Sequence, residues 1–60
     1  MLCVFLDNES KNIVSTYYDL AVIGVGDKYK TRGKLYLIVD KVFNIDSNAI
    51  ELYVQEVNNG

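Results

Sequence analysis

Residues 34–57 read KLYLIVDKVFNIDSNAIELYVQEV, and this stretch decides the fold. In its first half Leu35, Leu37, Val39, Phe43 and Ile45 share one face at a period of two, with Lys41 as the exception. Successive side chains of a strand point to opposite faces, so a period of two marks β-structure rather than helix. Asp46, Ser47, Asn48 and Ala49 supply a turn, because short polar side chains bond nearby backbone and tolerate left-handed geometry. The chain returns from Ala49 to Val57 with Ile50, Leu52 and Val54 on one face and Glu51, Tyr53 and Gln55 on the other. The two halves read as one β-hairpin, with strands from Lys34 to Ile45 and from Ala49 to Val57.

The same logic extends outward from the hairpin. Leu2 to Leu6 reads as a first strand, Asp7-Asn8-Glu9-Ser10 as a turn, and Asn12 to Tyr18 as a second strand returning beside the first. Asp19 to Val25 is a third apolar run, closed by Gly24-Val25-Gly26-Asp27. A short helical turn over 16–21 is compatible with Ser15 or Thr16 as its N-cap. Lys28 to Thr31 begins a further strand, and Arg32-Gly33 supplies a turn or bulge. Eight Val, five Ile and five Tyr suit a pleated surface throughout. The expected fold is all-β with at most one short helical turn: a single domain over 1–60, built as a small antiparallel meander or SH3-like barrel of four to six strands. The stretch Val25-Gly26-Asp27 through Gly33-Lys34-Leu35-Tyr36, and on to Val39 and Val42, resembles the first half of small SH3-like barrels. That resemblance implies architecture alone, and no functional residue is carried over from it.

Sixty residues make a small core, and chains of this size rely on disulfides, metals or association to supplement it. One cysteine, Cys3, permits no internal disulfide, and the absence of histidine removes the common zinc patterns. Half of the residues are hydrophobic. Tyr36, Ile38 and Val42 lie opposite the Leu35 face, so the long strand is apolar on both sides, whereas a sheet with one wet face should be polar there. A homodimer is therefore expected, with Ile38, Val42 and Tyr53 as its candidate interface.

The formal charge of −2 and pI of about 4.7 argue against a general nucleic-acid binder. Met1 to Leu6 is too short for a signal-peptide core and has no basic residue before it, and no stretch approaches a membrane span. The expected location is the cytoplasm, with no membrane partner. Usage rich in Asn, Lys, Ile, Tyr and Asp fits an AT-rich genome, and a short reading frame of this kind is typical of phages and mobile elements, which would place the protein in a host cytoplasm. No catalytic, cofactor or metal residues emerge. Gly24-Val25-Gly26 would need glycine where Tyr29 stands to be a dinucleotide fingerprint, and Gly33-Lys34 would need glycine at Lys28 and a hydroxyl at Leu35 to close a phosphate loop. Cys3 sits in an apolar strand without a histidine to activate it, so inert core is expected. No enzymatic activity is expected.

One cluster does suggest a partner. Lys28, Lys30, Arg32 and Lys34 are four of the six basic residues, and Tyr29 and Tyr36 lie beside them as stacking surfaces. These six form the candidate partner- or anion-binding set. The competing account is a solvated edge whose lysines discourage sheet-to-sheet aggregation. Tyrosines are also enriched at protein interfaces. The leading expectation is a non-enzymatic protein-binding module, an inhibitor or modulator that docks on a larger host protein as a homodimer. Nucleic-acid binding through the Lys28–Lys34 stripe and a structural role in a viral assembly are the alternatives.

Overall fold

The structure, a computed structural model, describes residues 2–18 and 23–57. Five strands account for most of them: β1 (Leu2–Asp7), β2 (Ile13–Tyr18), β3 (Lys28–Thr31), β4 (Lys34–Asn44) and β5 (Ala49–Val57). The described residues contain no helix. Of the segment read as a helical turn, residues 16–18 belong to β2, and 19–21 lie outside the described residues, as does most of the third apolar run. All-β architecture in a small barrel-like form is what the alternation predicts.

The strands form one sheet in the order β2-β1-β5-β4-β3. β1 and β2, β4 and β5, and β3 and β4 pair antiparallel, as neighbours in sequence joined by tight turns do. The antiparallel meander is extended by one further pairing: β1 lies parallel to β5, with Cys3 opposite Ile50 and Phe5 opposite Leu52. Parallel partners need a long crossover, and here everything between β1 and β5 serves as one.

The sheet is strongly curled. Phe5 on β1 and Tyr29 on β3 are separated by two intervening strands, which in a flat sheet would hold them about 14 Å apart at the usual strand spacing. Their ring centroids are 4.5 Å apart. Tyr17 on β2 closes edge to face on Phe5 at 5.7 Å, and its hydroxyl lies 3.2 Å from Thr31 Oγ1 on β3. The two edge strands thus approach through side chains alone, which makes a half-barrel. Its core is Cys3, Phe5, Ile38, Ile50, Leu52 and Val54, with Val14, Ile23, Tyr29 and Tyr36 packed around it. Cys3 is fully buried, as its apolar strand predicts.

Two bulges set the curl and the facing of side chains. On β2, Val14 is skipped between Ser15, paired to Phe5, and Ile13, paired to Leu6. On β4, Val39 is skipped between Ile38, paired to Val54, and Asp40, paired to Tyr53. An extra residue increases local twist and reverses the parity of everything after it. Before Val39 the inward residues are therefore Tyr36 and Ile38. After it they are Lys41, opposite Leu52, and Phe43, opposite Ile50. This puts core-facing residues of both parities in the long strand, and it places Lys41 on the inner side, where its ammonium donates to the Ile23 carbonyl at 3.0 Å.

The turns use the residues that their geometry demands. Arg32 and Gly33 both have positive φ, 52° and 77°, the type I′ pattern whose twist suits a two-residue hairpin. Asn48, at φ 55°, ends the β4–β5 turn, where the Ser47 amide donates to Asn44 Oδ1 at 3.1 Å. The Gly24–Asp27 turn is closed by the Gly24 amide donating to Asp27 Oδ2 at 2.8 Å. It is tied to β4 by the Gly26 amide donating to the Ile38 carbonyl at 2.9 Å. These glycines serve a turn, in keeping with the failed nucleotide motifs.

Candidate functional site

The basic cluster is divided by the fold. Lys28 and Lys30 pair with Leu37 and Leu35 and project from the outer face of β3, both exposed. Arg32 occupies the exposed turn. Lys34 pairs with Thr31 on the opposite face and meets Glu56 at 3.9 Å. A run of four at spacing two would share one side only in an unbroken strand, and the I′ turn breaks it. Tyr29 and Tyr36, expected as stacking surfaces beside the lysines, instead stack on each other on the inner wall, with centroids 5.2 Å apart and planes at 21°. Burial raises the Tyr29 phenol above its ordinary value. What the fold leaves of the candidate set is an edge strand with two outward lysines.

The expected dimer interface is also redistributed. Ile38 is 1% exposed and belongs to the core of its own chain, because the bulge at Val39 separates it from Val42. Val42 stays on the outer face, 39% exposed, and Tyr53 stays there half-buried. Tyr53 donates its hydroxyl to Glu51 Oε1 at 3.0 Å, and Asn44 Nδ2 donates to Glu51 Oε2 at 3.0 Å. The bond to Glu51 is the main cause of the raised Tyr53 pKa, since ionisation would destroy it. The Lys11 ammonium lies 4.8 Å from the centre of the Tyr53 ring.

A feature that the sequence did not single out stands at the far end of β4. Phe43 is 59% exposed and the adjoining turn residue Ile45 is 81% exposed, beside Val42. Val42 faces outward and Phe43 faces the inner side, so the end of the β4–β5 hairpin carries apolar groups on both faces. The signal was available: the apolar residues of β4 continue past the point where β3, only four residues long, can cover it.

Among the described residues no group of three or more His, Cys, Asp or Glu could hold a metal, and no helix is long and apolar enough to cross a membrane. A shallow groove of about 300 Å³ is lined by Asp7, Asn8, Glu9, Val54, Gln55 and Glu56. The Asp7 carboxylate in it is already engaged, accepting from the Ser10 amide at 2.8 Å and the Glu9 amide at 3.2 Å. The bond from Ser10 is the first cause of a pKa held below 3.8. A carboxylate depressed by folding contributes stability above its unfolded pKa and loses that contribution as pH falls through the folded value. The stability gap between the protein and Asp7→Asn is expected to be steady at neutral pH and to shrink below about pH 4, as read from urea midpoints across that range.

Comparison with protein-family models, with curated proteins and with solved structures gives no match for this chain.

Proposed function

We propose that the chain is a non-catalytic binding module, of the inhibitor or modulator kind made by phages and mobile elements, that docks on a larger protein. The observation that carries this reading is the apolar end of the β4–β5 hairpin. Val42, Phe43 and Ile45 are exposed together at one end of a molecule 39 × 22 × 19 Å in extent. Clustered exposed apolar groups mark interaction surfaces, whereas singly scattered ones do not. A two-stranded end with apolar side chains on both faces suits insertion into a cleft, where both faces lose water. Self-association through the outer face around Val42 and Tyr53 belongs to the same reading.

The test is recovery from a lysate of the native host, with and without nuclease, using the intact chain and a Phe43→Ser/Ile45→Ser variant. One protein retained through nuclease treatment, and lost with the variant, is the expected result. Recovery abolished by nuclease would move the function to nucleic acid. Indifference to the variant would remove the hairpin end as the docking element.

A further inference from the structure

The half-barrel is open along one line, between β2 and β3. Each is an edge strand whose outer side has no ladder partner among the described residues. The width of the opening is bounded on both sides. No Cα of β2 comes within 8 Å of a Cα of β3, so the two are too far apart to pair directly. The Tyr17 and Thr31 hydroxyls nonetheless meet across it at 3.2 Å. Side chains of that reach hold their backbones no more than about 12 Å apart. One extended strand seated between two others needs about 9.6 Å, twice the ladder spacing. The opening brackets that width.

Its lining points the same way. On the inner side the opening presents hydroxyls: Ser15, Tyr17, Tyr29 and Thr31. Ser15 is 7% exposed, and its Oγ and the buried Tyr29 hydroxyl lie within reach of each other, with no well-aligned bond between them and no other partner. Buried polar atoms in native structures are almost always satisfied, and this pair of hydroxyls has only each other, leaving bonding capacity open at the seam. On the outer side Lys28 and Lys30 flank the slot from β3, in a chain of net charge −2. A second copy offering its own β3 would set lysine against lysine, which is unfavourable across strands.

We infer that the β2–β3 opening is an acceptor slot for one extended, acidic segment of a partner protein, which completes the barrel by pairing with the strand edges. This rests on the protein-binding reading and adds a second point of contact to it. The inserted segment places Asp or Glu outward against Lys28 and Lys30, and Ser, Thr or Asn inward against the Ser15 and Tyr29 hydroxyls. Main-chain pairing supplies affinity and the alternating side chains supply selectivity, as in other strand-addition complexes. Tyr17, 38% exposed, can swing out at the cost of one exposed hydrogen bond and its edge contact with Phe5.

The experiment is selection of a displayed library of random decapeptides on the intact chain, followed by synthesis of the most enriched peptide. Proline-free peptides with acidic residues at alternate positions are expected, and their binding should slow amide exchange in β2 and β3. Lys28→Glu/Lys30→Glu, at two exposed positions, should weaken binding about tenfold or more without changing the circular dichroism spectrum. N-methylation of alternate peptide amides should abolish it. Enriched peptides that perturb only Val42, Phe43 and Ile45 would overturn the slot and leave the docking reading intact. No enrichment, binding indifferent to N-methylation, or a free chain already dimeric through β2 or β3 would each overturn the inference.

Discussion

Phe5→Ala is expected to leave the chain largely unfolded. Phe5 is fully buried and is the one core ring that touches both ends of the curled sheet, Tyr17 on β2 and Tyr29 on β3. Truncating a buried phenylalanine costs about 3–5 kcal/mol, through lost transfer free energy and the cavity left behind. A chain of sixty residues has a total stability of about 3–9 kcal/mol on the usual scale per residue. The loss is comparable with the whole, and no disulfide is present to limit it. Urea denaturation followed by circular dichroism reads the effect. A Phe5→Leu variant, which keeps most of the volume, should lose much less and remain folded. Equal, large losses in the two would show that the ring contacts rather than the buried volume hold the curl.

The contrast between these local and distant features explains what the sequence could reveal. The β4–β5 hairpin is legible because alternation and turn chemistry are local: Ile50, Leu52 and Val54 alternate cleanly, and Asn48 tolerates the left-handed φ that it adopts. Strands β1, β2 and β3 are legible to within one residue for the same reason. The parallel β1–β5 pair is not, since nothing within Leu2–Asp7 or Ala49–Val57 records which distant strand it will meet. The division of the basic cluster has a different cause. Lys28, Lys30, Arg32 and Lys34 keep a spacing of two through a turn, and spacing stops predicting direction where the strand stops. Ser15 and Tyr29 show a third kind of limit. The meeting of their buried hydroxyls is visible only once the sheet has curled enough to bring β2 and β3 together.

The bulge at Val39 makes a sharper prediction, because it overrules parity at two named positions. Ile38 and Val42 are four residues apart, and in an unbroken strand they would share a face. With Val39 skipped, Ile38 faces Val54 in the core while Val42 pairs with Glu51 on the outer face. Ile38→Asp is therefore expected to unfold the protein, at a cost of more than about 4 kcal/mol, since the carboxylate has no buried partner. Val42→Asp is expected to cost about 1–2 kcal/mol at a 39% exposed site, through β-propensity and the like charge of Glu51 directly opposite. The two variants should separate cleanly in thermal melts at neutral pH, where both new carboxylates would be charged in water. Light scattering on Val42→Asp then reads association apart from folding: a folded monomer from a dimeric parent would place the dimer contact on the outer face. If both substitutions unfold the chain, the strand runs without its bulge, and the inner wall of β4 beyond Ile38 must be rebuilt around Val42 in place of Lys41 and Phe43.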